Sequence, residues 1–356
     1  PGRRLGGQGI CRRSRHVAAA RAPMRRHLLI VCNSRSANLS LYEFDLPGRS
    51  ILPRSVLDLP VPPGEANAAS MALNAEGTRL FLAWRGSRKE VLTFALAADR
   101  AALSLLGRLP LDDDICFLHF DAERRQLLAA AGQDVLALPL DEQGLPHLGA
   151  RCSVGPMAHG IIALGAGRML ASSCGGDVLG VVEETDTGEL EVVQTIAQPP
   201  GSGPRHLCRA PDGRHAYLVS QESGEVVTLD TGLERAASVQ RLPLVVDQKA
   251  GFAPMGGDIG ITPDGRFVLA TERQSNRLVA FAVAPETGLL TRLGWVPTPD
   301  YPRALTIDPG GAFVTVLGFR GHRGCIFVIE TDGALTPAAD FGTAERPSWA
   351  LSLPLP

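Results

Sequence analysis

Arg205 and His206 stand just before one apolar run, and Gln221 and Glu222 just after the next, in the stretch GPRHLCRAPDGRHAYLVSQES (203–223). If the two runs form an antiparallel pair, the start of the first and the end of the second share one edge. A guanidinium, an imidazole and a carboxylate gathered at one edge can bind an anion and move a proton. The position recurs along the chain. His159, Asp258, Arg303 and Arg346 precede other first runs, and Trp84 with Arg85, and Glu272 with Arg273, follow other second runs. Arg205, Arg303 and Arg346 therefore occupy equivalent places, which points to a small anion as ligand; where helix N-termini are few, guanidinium groups replace them. Each arginine taken singly also suits a loop cap or a pair with a neighbouring carboxylate. His159, in PMAHGII, is the candidate base, although its apolar flanks equally suit a hydrogen-bonded core histidine. Strand alternation turns His206 to the side opposite Arg205.

The elements that place these residues come from a repeat. A short apolar strand, a polar turn and a second apolar strand recur as ALNAEGTRLFLAW (72–84), HFDAERRQLLAAA (119–131), ALGAGRMLASS (163–173), RAPDGRHAYLVS (209–220), ITPDGRFVLATE (261–272) and IDPGGAFVTVLG (307–318). Taking Gly77, Arg124, Gly167, Gly213, Gly265 and Gly311 as landmarks, the spacings are 47, 43, 46, 52 and 46. Strand repeats of roughly 40–50 residues mark a β-propeller. The turns have a local cause, since PDG supplies a fixed φ at Pro and a permissive one at Gly. A third strand such as EVVTLD (225–230) or RLVAFAV (277–283) and a fourth beyond the next turn complete a four-stranded blade. HLLIVCNSRSANLSLYEFD (27–45) reads as the later strands of a blade whose first strand is RPSWALSLP (346–354). The expectation is an all-β, seven-bladed propeller closed by pairing of its N- and C-terminal strands. A β-sandwich with a second domain leaves the chain-long repeat unexplained, and no stretch sustains a helical period over three turns.

Composition excludes several classes. The 356 residues are 45% hydrophobic with Gly 39 and Pro 27, which gives a core and many turns. A formal charge of −2 points away from nucleic acid and anionic membranes as partners. Residues 1–23 hold six arginines and no acid, and removing them leaves 29 basic against 37 acidic residues. We expect this head to be a disordered basic extension, with Met24 as the natural start and residues 24–356 as one propeller. Seven cysteines, odd in number and without a C-x-x-C pair, argue against a disulfide scaffold and a zinc site. The longest apolar runs are too short to cross a bilayer. No H-E-x-x-H, G-x-S-x-G, P-loop or G-x-G-x-x-G after a strand is present, so no metal or other cofactor is expected.

With these segments in view, the chain resembles the seven-bladed propeller lactonases, the bacterial 6-phosphogluconolactonase family that includes the fungal carboxymuconate cyclases. The likeness covers about 27–354 and rests on GSGPRHLCRAPDGRHAYLVSQES, GGDIGITPDGRFVLATERQSNRLVAFAV, YPRALTIDPGGAFV and RPSWAL. It implies hydrolysis of a sugar lactone, 6-phosphogluconolactone of the pentose phosphate pathway, with a small anionic lactone as partner. The cysteine pattern points to a reducing compartment, the cytoplasm, and propellers are often monomers. The family's central histidine falls on His159, the arginine of its GPRH motif on Arg205, and the arginine ending the strand of the following blade on Arg273. Two positions depart: the family's VNE is VSQ here, placing Gln221 at the glutamate, and its DIH is DIG, placing Gly260 at the histidine. Gln221 or Glu222 is then left to orient the water. Arg85, His206, Asp258, Arg303 and Arg346 are the further candidates for substrate binding. Two other readings stand beside this one: a carboxymuconate-type or other lactone enzyme, and a propeller without catalysis that binds a metabolite or a protein.

Overall fold

The structure, a computed structural model, describes residues 26–61, 70–232, 234–247 and 251–356. Met24 and the basic segment 1–23 lie outside the described residues. Among those described, every regular element is a strand, and none is a helix that could cross a membrane. The strands form seven four-stranded antiparallel sheets, numbered here as blades 1–7 in chain order.

In each blade the innermost strand is the one the sequence marks as first. These strands are Ser70–Leu73, Ile115–Asp121, Ala158–Gly165, Pro204–Arg209, Gly256–Ile261 and Pro302–Ile307 for blades 2 to 7. Blade 1 takes its innermost strand, Pro347–Pro354, from the C-terminal end of the chain, paired antiparallel with Arg26–Asn33. Each innermost strand packs against the next around the ring, and Pro347–Pro354 packs against Ser70–Leu73. The predicted closure is therefore the observed one, and it leaves no open inner edge.

Burial explains the strand sequences. The second strands, such as Gln126–Ala131 and Phe313–Gly318, are buried throughout because blades cover both faces. The fourth strands, such as Leu190–Ala197, alternate half-buried and exposed positions at the rim. Seven apolar clusters fill the seven seams between neighbouring blades; the one between blades 1 and 7, for instance, joins Leu29, Val31 and Phe44 to Phe313 and Leu317. The turn between inner strands holds itself. In blade 5 Asp212 Oδ1 accepts from the backbone N–H of Arg214 and His215 at 2.8 and 3.0 Å, and Gly213 takes φ 73°.

Candidate active site

The innermost strands are not regular at the end that forms the mouth. A β-bulge falls at one equivalent position in six blades, and the extra residue is Cys116 in blade 3, His159 in blade 4, Arg205 in blade 5, Arg303 in blade 7 and Ser348 in blade 1; in blade 6 it falls within Gly257–Asp258. A bulge lifts its residue out of the pleat and re-aims it. Two residues earlier the backbone is left-handed in four blades, at Met157, Gly203, Tyr301 and Arg346, with φ between 55 and 62°. For the three that are not glycine this is a strained conformation, of the kind held where surrounding structure demands it.

The bulges bring Arg205 onto His159. Arg205 Nη1 lies 2.6 Å from His159 Nε2. A guanidinium only donates, so Nε2 accepts and the imidazole is neutral. Burial first, then Arg205, hold the His159 pKa well below the usual histidine value. Arg205 is itself 2% exposed. Its Nε donates to Gly257 O at 2.7 Å, and Nη1 also reaches Gln221 Oε1 at 3.4 Å. Gln221 Nε2 in turn donates to Glu222 Oε1 at 2.6 Å. Arg273 is anchored by Nη2 on Gly256 O at 2.6 Å and reaches the Tyr301 hydroxyl at 3.4 Å, while its Nε is buried without a partner. Gly257 permits this crowding. A Cβ there would collide with Thr271 Oγ1 and lie 2.6 Å from Pro302 O.

Below this layer an aromatic floor closes the channel. The rings of Phe117, His206 and Trp349 meet edge to face, with centroids 4.9 Å (Phe117–His206), 5.3 Å (Phe117–Trp349) and 5.7 Å (His206–Trp349) apart. Each follows its blade's bulged residue directly. Alternation therefore fails for His206: the bulge at Arg205 turns both inward, and the His206 ring lies 5.2 Å from that of His159. His206 Nδ1 donates to Asp258 Oδ1 at 2.8 Å, and burial together with the arginines above keeps the ring neutral. Asp258 also accepts from Leu305 N and Ile259 N, and burial raises its pKa to about 6.

Above the floor opens a cavity of about 670 Å³. Its wall carries Arg85, Arg205, Arg273, Arg303, Arg320 and Arg346, with His159, Gln221 and His322, and among the described residues no carboxylate lines it. Burial, then Arg273, lowers the Arg303 pKa to about 10. So dense an uncompensated positive charge suits an anionic ligand.

Of the residues singled out in the sequence, Arg85, His159, Arg205, Gln221, Arg273, Arg303 and Arg346 line one cavity. Glu222 lies behind the wall, hydrogen-bonded to Gln221 and close enough to act on the charge of Arg273, and His206 and Asp258 lie beneath. Trp84 is in the core between blades 1 and 2, and Glu272 ties the turn after its strand by accepting from Met255 N, Gln274 N and Ser275 N. Gly260 faces the apolar opposite end, where a Cβ would sit 3.0 Å from Leu305 Cδ1, so its lack of a side chain takes nothing from the mouth. Sequence reading missed Tyr301, Phe319, Arg320 and His322. The signal was present: Phe319 and Arg320 follow the second strand of blade 7, as Gln221 and Glu222 do in blade 5.

Known proteins resemble this chain in sequence and in fold. The family model described as "Lactonase, 7-bladed beta-propeller" matches residues 58–351. A 6-phosphogluconolactonase of Sodalis glossinidius is 26% identical over 338 residues, 91% of this chain and 98% of that protein. One from Pectobacterium carotovorum subsp. carotovorum is 34% identical over 179 residues, 48% of this chain and 52% of that one. The structure of a periplasmic gluconolactonase from Pseudomonas aeruginosa superposes with a TM-score of 0.82 at 22% identity, covering 93% of this chain and all of the other. That last likeness is one of fold.

Proposed function

We propose, from the premise that this chain belongs to the seven-bladed β-propeller lactonase family, that its mouth hydrolyses an anionic sugar lactone, 6-phosphogluconolactone first among them. The observation that carries this reading is a neutral, buried His159 held by Arg205 in a cavity walled by six arginines. The name of the relative that covers 91% of this chain supports the substrate, and with it a place in the pentose phosphate pathway.

Lactone hydrolysis adds one water. The water oxygen attacks the carbonyl carbon, the ring C–O bond breaks, one proton passes to the leaving ring oxygen, and the acid formed then ionises. The barrier lies in the tetrahedral oxyanion and in deprotonating the water. Arg205 and Arg273 supply donors to the oxyanion, in a site whose closed floor keeps the effective dielectric low. His159 stays neutral over the pH range of the reaction and is therefore able to accept a proton. At rest its Nε2 lone pair is engaged by Arg205. When the carbonyl oxygen takes that donor, Nε2 is released to the water, and Gln221 Oε1 positions the water as an acceptor. Gln221 has no proton affinity to serve as the base itself. Every side chain in this scheme comes from one chain, so a monomer suffices. The six described cysteines are free, which suits the reducing cytoplasm.

The test is hydrolysis of freshly generated 6-phosphogluconolactone by the full chain, against Arg205→Ala and His159→Ala. A rate above spontaneous opening that both variants lose supports the reading. No rate above background overturns the substrate assignment.

A further inference from the structure

Four arginines of the mouth are held by aromatic rings in place of carboxylates. Arg273 and Arg320 lie over Tyr301, with Cζ 5.3 and 4.0 Å from the ring centroid. Arg303 and Arg346 lie 5.5 and 5.6 Å from the centroid of Phe319. The two rings are 6.3 Å apart and tilted, so they form one platform. Stacking uses the flat face of a guanidinium and leaves its in-plane N–H donors for a ligand. Among the described residues none of Arg303, Arg320 and Arg346 enters an ion pair. Arg273 and Arg85 both act on Arg303, lowering its pKa after burial. Beside them His322 Nδ1 accepts from Arg346 N at 3.1 Å, which leaves Nε2–H to donate.

These residues come from blade 7 and its junction with blade 1, whereas His159, Arg205 and Arg273 come from blades 4 to 6. The mouth thus has two groups of donors. A neutral sugar lactone needs one of them, for the carbonyl. A carboxylate is satisfied by one guanidinium fork, but a phosphoryl dianion offers three terminal oxygens, each able to accept more than one hydrogen bond.

We propose that Arg303, Arg320 and Arg346, carried on the Tyr301–Phe319 platform, form a phosphoryl-recognition subsite that selects phosphorylated over unphosphorylated lactones. This rests on the lactonase reading of the same mouth. Tyr301 and Phe319 are positioning residues within it: they hold guanidiniums in place without neutralising them.

The experiment compares kcat/KM for 6-phosphogluconolactone and for glucono-δ-lactone in the full chain and in Arg303→Met, Arg320→Met and Arg346→Met. Calorimetric titration with inorganic phosphate, 6-phosphogluconate and gluconate runs in parallel. Arg320 is exposed, so its replacement tests the subsite without burdening the fold. The expected result is a fall of at least tenfold in the ratio of phosphorylated to unphosphorylated turnover in each variant. Weaker binding of 6-phosphogluconate should accompany it, with gluconate little affected. Equal losses on both lactones overturn the subsite. If the unaltered protein hydrolyses neither lactone, the lactonase reading fails and the titrations decide alone. Phosphate binding that the variants lose sustains the subsite, and no binding of inorganic phosphate or 6-phosphogluconate overturns it.

Discussion

Arg205 Nη1 sits 2.6 Å from His159 Nε2, so a cation donates a hydrogen bond to the lone pair that the proposed proton transfer would use. The contact fixes the tautomer of the imidazole and, with burial, keeps it neutral.

Removing the cation should therefore change two quantities together. Arg205→Ala is expected to lower kcat by roughly 10²–10³-fold, the usual loss for an oxyanion donor. The His159 pKa should rise, because Arg205 is the second cause of its depression, yet stay below the ordinary value because burial is the first. Arg205→Lys keeps the charge without the fork and should fall between the two. Steady-state rates and an NMR titration of the His159 ring measure both. An unmoved imidazole would show that the two groups are not coupled.

The Gln221–Glu222 hydrogen bond makes the next prediction. Gln221→Glu places two carboxylates at the 2.6 Å separation now bridged by an amide N–H. Like charges that close cannot both ionise freely, so one pKa rises. The pH–rate profile should gain a limb above the ordinary carboxylate range, which Gln221→Glu/Glu222→Gln abolishes. Glu222→Gln alone should cost less than about tenfold, since Glu222 does not line the cavity and acts through its hydrogen bond to Gln221 and its charge near Arg273. A larger loss would make Glu222 a direct participant.

How much of this could be read in advance follows from what each signal depends on. The blades were legible because a Pro-Asp-Gly turn and its flanking apolar runs are local. Arg205, Arg273, Arg303 and Arg346 were legible because a repeat places equivalent residues at one rim. The bulges were not, since no composition separates a bulged His159 or Arg205 from a paired residue, and strict alternation sent His206 to the wrong side. The floor of Phe117, His206 and Trp349 depends on three blades converging across the ring, which no window of the chain contains. The Arg346 stack on Phe319 requires two neighbouring blades to meet, whereas that of Arg303 lies within one strand pair of blade 7.

Gly257 offers a test of the crowding at the bulges. Gly257→Ala drives a Cβ against Thr271 Oγ1 and Pro302 O, neither able to yield far. We expect a loss of about 1–3 kcal/mol in stability, seen as a lower denaturation midpoint. Activity should fall further than folding accounts for, because the Gly257 carbonyl holds Arg205 Nε. Full activity in the folded variant would dismiss the role of that carbonyl.

Stability should also depend on pH in a defined window. His119, His159 and His206 all have lowered folded pKa values, chiefly through burial, with His119 near 4. A group depressed in the native state contributes stability above its unfolded pKa, about 6.5, and loses it as pH falls. Asp258, raised to about 6 by burial, acts in the opposite sense, because the native state binds its proton first. Between pH 6 and 4 the three histidines outnumber the one opposing carboxyl, so the unfolded chain binds more protons than the native one at these groups. Stability should therefore fall as pH drops through that window. Urea unfolding at several pH values measures the slope, and a flat profile would mean that these rings titrate normally.

The strand Pro347–Pro354 closes the ring, and with its leading residue it contributes Arg346 to the wall, the Ser348 bulge and Trp349 to the floor. During synthesis the ribosome delivers this segment after all the other blades. A nascent chain with six finished blades therefore owns most of the arginines but neither the last guanidinium nor the floor that keeps water from the far end. Catalytic competence and topological completion arrive in the same folding event, so turnover doubles as a built-in report that the circle has closed.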